Sequence, residues 1–176
     1  MSGINIEPGR PEKSEYLEYY ETYLSKVDGD EILPLLESQI GDFRAVFDAI
    51  PADQIDVLHA PYTWTIKQVV GHCVDTERVF GYRAGRFAAG DETPLPGFDQ
   101  DLYVEQTDYS LVTLADLTGE LEHLRRGNIA MLKRQNANSW MRKGLGDGKA
   151  MTVRAAAFIM VGHINHHLEI VKKRLG

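Results

Sequence analysis

The chain is poor in the residues and runs that mark several protein classes. It has one cysteine, Cys73, so no disulfide framework can form within it, and a reducing, cytoplasmic setting is expected. No uncharged apolar run approaches the roughly 20 residues of a membrane span. Residues 1–13 are polar and contain Pro and Gly, with no apolar core of a signal peptide. Basic residues are outnumbered, 19 Lys and Arg against 26 Asp and Glu, leaving a formal charge of -7. That balance argues against a nucleic-acid partner, which calls for a basic patch. The short basic clusters Arg125–Arg126 and Lys172–Lys173–Arg174 read as solvated helix faces or as complements to a helix C-terminus. No internal repeat, low-complexity tract or convincing strand pattern is present.

What remains is helical periodicity in a chain of 176 residues, long enough for one sizeable core. Residues 1–12 are expected to form a flexible tail, and residues 13–176 a single domain. Tyr16, Tyr19, Tyr20 and Tyr23 recur at helical spacing over 14–26. A second helix is expected over 31–50, where Ile32, Leu36, Ile40, Phe43, Phe47 and Ile50 form a stripe. A third begins at Thr65, whose position before Gln68 has the capping-box form, and ends at Gly90. Residues 90–110 read as a long connection, a kind of segment that is often functional. A fourth helix follows over 113–137. Residues 138–150 carry three glycines and read as a turn or short hairpin, and a last helix runs from Thr152 almost to Gly176. The expected fold is all-α, an antiparallel four-helix bundle with a short extra N-terminal helix.

The last helix contains Gly162-His163-Ile164-Asn165-His166-His167. His163 and His167 are four apart and share a face with Ala156, Ile159, Met160, Ile170 and Val171. A buried imidazole needs a partner. Such a pair alone more often marks hydrogen-bonded core histidines than a metal site. His72, at the edge of the third helix's stripe, supplies a third candidate if the two helices are neighbours. Three histidines with open positions suit a catalytic metal rather than a closed structural one. His166 is read as an outer or surface residue that could move protons. His59 and His123 are read as solvated, Asp75 as solvent-facing and Cys73 as packing. Glu77 lies near the centre of an apolar face, where a carboxylate is paired or functional. Two readings are open for it: an ion pair with Arg83 or Arg126, or a catalytic base near the metal.

The segment from Trp64 to Glu77, WTIKQVVGHCVDTE, resembles the first metal motif of the DinB superfamily, particularly its YfiT-like branch. GHINHHLEIV (162–171) resembles the second. Arg83 and the stretches YYETYLSKVDGD (19–30) and LPGFDQDLYV (95–104) are also similar to family members. The resemblance implies a four-helix bundle with its site near one end. It implies nickel or zinc held by His72, His163 and His167, with water or substrate completing the shell, and a homodimer. It implies a small-molecule substrate, and no nucleic-acid or membrane partner is expected. Three functions follow: an S-transferase using a low-molecular-weight thiol such as bacillithiol, mycothiol or glutathione; a hydrolase using water activated by the ion, with Glu77 or His166 moving protons; or a non-catalytic metal-binding protein whose apolar flank Ala157, Val161, Ile164 and Leu168 makes dimer contacts.

Overall fold

In the computed structural model, which describes residues 8–176, helices form where apolar residues recur at three and four. They are α1 (Glu21–Leu24), α2 (Ile32–Phe47), α3 (Ile66–Ala88), α4 (Gln100–Gln106), α5 (Leu114–Lys133), α6 (Ala137–Trp140) and α7 (Val153–Leu175). A hairpin of β1 (Lys143–Gly146) and β2 (Lys149–Thr152) precedes α7. The expected helix starts are built as capping motifs. Thr65 Oγ1 accepts the Gln68 amide at 3.2 Å while Gln68 Oε1 accepts the Thr65 amide at 2.8 Å. Thr113 and Asp116 repeat this reciprocal pattern at α5, and Thr152 Oγ1 accepts the Ala155 amide at α7. Each such cap stabilises its helix by about 1 kcal/mol.

Several segments differ from expectation. Residues 14–26 form two 3-10 turns, Lys13–Glu15 and Glu18–Tyr20, followed by the single turn of α1. The long connection over 90–110 contains α4 and a 3-10 turn, Tyr109–Leu111. Its helix is set by local capping: Asp99 accepts the Asp101 and Leu102 amides, both at 3.1 Å. The fourth helix stops at Lys133, because Asn136 accepts the Ser139 amide and starts α6. The hairpin turns on Asp147 and Gly148, both at positive φ (57° and 67°), as a tight two-residue turn requires. Of the expected tail, residues 1–7 lie outside the described residues. Arg10 Nη1 donates to the Val27 carbonyl at 2.8 Å.

α3 packs against α5 and α7, and α2 packs against the same two helices. The consecutive helices α2 and α3 therefore face each other across the bundle. Side-chain pairs give the directions. Residue numbers rise together in Arg78–Glu120 and Gly81–Asn128, so α3 and α5 run parallel. They run oppositely in Arg44–Glu122 and Glu37–Lys133, so α2 and α5 are antiparallel. Trp64–Arg174 and His72–His163 set α3 antiparallel to α7. The connection over 89–113 makes the parallel pair possible by carrying the chain back along the bundle.

The flank Ala157, Val161, Ile164 and Leu168 is buried within this chain, where α7 meets α1 and α2, and is not a free face. Asp75, expected to face solvent, is half-buried. It pairs with Arg78 at 3.3 Å, and burial pushes its pKa up.

Candidate metal centre

The antiparallel packing of α3 on α7 brings His72 onto the His163–His167 pair. All three side chains are buried. His163 Nε2 lies 2.9 Å from His72 Nε2 and 3.2 Å from His167 Nε2. Ligand atoms from the three rings all fall within 4.8 Å of one another. Nitrogen–metal bonds of about 2.1 Å place adjacent ligand atoms roughly 3 Å apart, so the spacing suits a divalent ion. The rings cannot satisfy one another. A neutral His163 offers its Nε2 either as one donor or as one lone pair, and two neighbours converge on it. A cation at that point would satisfy all three. His167 Nδ1 is buried with no hydrogen-bond partner among the described residues.

Glycines precede both parts of the cluster. A β-carbon at Gly71 would collide with the Tyr109 ring, and one at Gly162 with the backbone of Tyr23. Gly162 thus lets the N-terminal segment lie against α7 beside His163. The Tyr23 ring is 5.3 Å from the His163 ring, and Trp64 is 5.0 Å from His72. Burial raises the Tyr23 pKa, so its phenol stays protonated at neutral pH.

Burial also lowers the imidazole pKa values. His72 is pushed down to about 4, first by burial and then by His166. His163 and His167 are held well below their ordinary value by burial, then by neighbouring imidazoles. The three rings are neutral at pH 7, the form that ligates metals. The metal-free protein is expected to lose stability as pH falls from about 6.5 towards 4. Over that window the unfolded chain binds protons that the folded chain refuses, so stability rises with pH. For His72 alone the loss at pH 5 is on the order of 2 kcal/mol. A thermal midpoint of the metal-free protein that does not move between pH 7 and pH 5 would contradict this.

The other candidates lie elsewhere. His166 is half-buried, with its ring 5.0 Å from His167 and 5.6 Å from Tyr23. Burial and Lys26 lower its pKa. His123 is exposed. His59 is half-buried, with Nε2 3.0 Å from Gln54 Oε1, and is not simply solvated. Glu77 is buried and paired, but with neither Arg83 nor Arg126. Its partner is Arg125, which donates from Nε to Oε1 at 2.9 Å and from Nη2 to Oε2 at 3.0 Å. Asn128 adds a bond to Oε1 at 2.8 Å. Glu77 therefore turns towards α5 rather than towards the histidines on α7. Arg125, expected on a solvated face, is 0% exposed. Arg174 is also half-buried, donating to the Trp64 carbonyl at 2.8 Å and lying over the Tyr62 ring.

Two cavities reach the cluster. One of about 130 Å³ touches His163 and is walled by Tyr20, Tyr23, Thr76, Phe80 and Arg83. Another of about 350 Å³ touches His167 and is walled by Tyr62, Trp64, Val69, Ile170 and Arg174. Gln100, at the start of α4, borders both. These walls were not anticipated from sequence. Thr76 was legible, being four residues beyond His72 on the same helix face. The tyrosines carry a helix stripe and a family-like stretch (19–30) in the sequence, neither of which points to a cavity wall.

Comparison with known proteins agrees with this architecture. Among curated proteins none matches the chain. Of solved structures, YfiT from Bacillus subtilis, described as a probable metal-dependent hydrolase with an unusual four-helix bundle topology, is 18% identical with a TM-score of 0.71. That match covers 97% of this chain and 95% of YfiT. A mycothiol-dependent maleylpyruvate isomerase is 13% identical with a TM-score of 0.65, covering 83% of this chain and 60% of the isomerase. The family model of the DinB superfamily matches residues 35–171, taking in α3, most of α7 and all three clustered histidines, and the chain belongs to that superfamily.

Proposed function

We propose that the protein is a metal-dependent enzyme of the thiol S-transferase class, with His72, His163 and His167 as the metal ligands. The observation that carries this reading is the pair of cavities meeting at the triad from the His163 and His167 sides. A transferase must bring a thiol and an electrophile to one centre, and two walled approaches provide for that. Nitrogen donors suit nickel or zinc. A divalent ion there supplies the positive charge that favours thiolate over thiol at neutral pH. The thiol loses its proton, its sulfur bonds to the electrophilic carbon, and the leaving group departs with the bonding pair. In this reading His166, whose ring lies 5.0 Å from that of His167 and whose pKa is lowered by burial and Lys26, takes up that proton. Glu77, engaged by Arg125, has no part in the reaction. The same reading takes a low-molecular-weight thiol as co-substrate, a homodimer as the working unit and the cytoplasm as the compartment.

The test is to incubate zinc- or nickel-loaded protein with bacillithiol, mycothiol or glutathione and monochlorobimane. At least one thiol is expected to give conjugate about 100-fold faster than chelator-treated protein, within the range that general acid–base and metal effects supply. Equal rates with and without metal would overturn the reading. The likeness to YfiT favours a second reading, a hydrolase, which predicts metal-dependent cleavage of an activated ester with no thiol present.

A further inference from the structure

Thr76 is 4% exposed, and its hydroxyl has no hydrogen-bond partner among the described residues. A threonine inside a helix ordinarily has the carbonyl four residues back within reach, so an unused hydroxyl needs a reason. It borders the cavity that touches His163. Along the same face of α3, Phe80 and then Arg83 follow at steps of four and three. Arg83 is 3% exposed, and its guanidinium leans back over the Phe80 ring, 5.3 Å from its centre. Its one hydrogen bond among the described residues goes from Nη2 to the Pro96 carbonyl at 3.0 Å. It makes no ion pair there; the Asp147 carboxylate across the cavity feels its charge without touching it. Arg125, equally buried, has Glu77. Lys149, at the same cavity, is already paired with Asp147. A buried guanidinium with no carboxylate in contact is costly. The backbone nevertheless makes room for this one, since a β-carbon at Gly146 would come within 2.7 Å of Arg83 Nε.

The geometry points to an anion subsite, in which Arg83 binds a carboxylate of the substrate and Thr76 donates to a second oxygen nearer the triad. Seven residues of helix rise about 10 Å, and an arginine leaning back by a turn recovers about 5 Å. The two contacts therefore lie roughly 5 Å apart, the separation of the carboxylates in a short dicarboxylate. The ligand class is a small linear carboxylate with a second oxygen acceptor, entering on the His163 side. This rests on the proposed function only in taking the triad as the reacting end.

Calorimetric titration of the zinc-loaded protein with glutarate and with pentanoate, a monocarboxylate of the same length, tests it. Arg83→Gln is expected to weaken both ligands about tenfold or more, the cost of a lost charge-assisted hydrogen bond. Arg83→Lys should recover part of the loss. Thr76→Val is expected to weaken glutarate alone by about fivefold. Its thermal midpoint should be unchanged or higher, because the hydroxyl satisfies nothing in the protein. That combination is one that a merely structural role would not produce. Failure of both probes to bind wild type, or glutarate binding that none of these substitutions alters, would overturn the subsite. Substitution-sensitive glutarate binding in a protein that conjugates no thiol would leave the subsite standing and sink the transferase reading.

Discussion

Replacing His163 with alanine is expected to strip the protein of its metal. His163 is the middle member of the triad, within about 3.2 Å of both other rings, so its loss leaves His72 and His167 without the nitrogen between them. Loss of an outer hydrogen-bond partner alone typically costs 10–100-fold in metal affinity. Removing a ligand should exceed that, at about 1,000-fold or more. After dialysis, untagged wild type should retain close to one equivalent of nickel or zinc by elemental analysis, and His163→Ala almost none. His123→Ala, altering an exposed ring on α5, should behave as wild type. Retention of a full equivalent by His163→Ala would refute the three-histidine centre.

The second large effect is on stability. Arg125→Met should destabilise the fold by about 3–5 kcal/mol, because it leaves the Glu77 carboxylate buried without its partner. The loss extends beyond one pair. Arg125 Nη1 also donates to Gln39 Oε1 at 2.6 Å, and Gln39 Nε2 donates to the Val161 carbonyl and to Asn165 Oδ1. Asn165 in turn donates to the Lys26 carbonyl at 2.9 Å. This chain of bonds crosses from α3 through α5 and α2 to α7, and it grips α7 on both sides of His163. A drop of roughly 10 °C in the thermal midpoint is expected for a domain of this size. The double variant Glu77→Met/Arg125→Met should recover much of it, since an apolar pair of similar volume carries no stranded charge. A single variant within about 1 kcal/mol of wild type would show that the pair carries none of the fold's stability.

The four bundle helices and the His163–His167 pair were legible in the sequence because each rests on a local rule, whereas His72 joined the pair through the helix contact and the resemblance to the DinB metal motif. Thr65 and Thr113 announce helix starts through their own neighbours. His163 and His167 share a face whatever surrounds them. What escaped depends on contacts distant in sequence. α4 buries only Val104, so it has no stripe to read. Its start is an aspartate cap inside a segment rich in Pro and Gly. Arg125 sits between Leu121 and Ile129 at steps of four, squarely on the apolar stripe of α5. Beside Arg126 it has the look of a solvated cluster, which hides it as the partner of Glu77. The parallel pairing of α3 with α5 is set by the long return connection and leaves no periodic trace. Of the tyrosines of residues 16–23 only Tyr23 falls in an α-helix, and the contacts of Tyr20 with Phe80 on α3 and of Tyr23 with His163 on α7 leave no local trace.

Gly162 divides the labour of the site between two stretches of chain. The imidazoles stand on helices inside the region common to the superfamily, residues 35–171, whereas Tyr20 and Tyr23 come from before it. The histidine cluster and the tyrosine wall beside it are thus separately alterable. Exchanging a tyrosine resizes the entrance and leaves the imidazoles in place. Position 162 has no such latitude, because any side chain there would push the wall off the helix and open His163 to solvent. The cavity wall can drift here while the histidines stay fixed, with one missing β-carbon as the hinge between them.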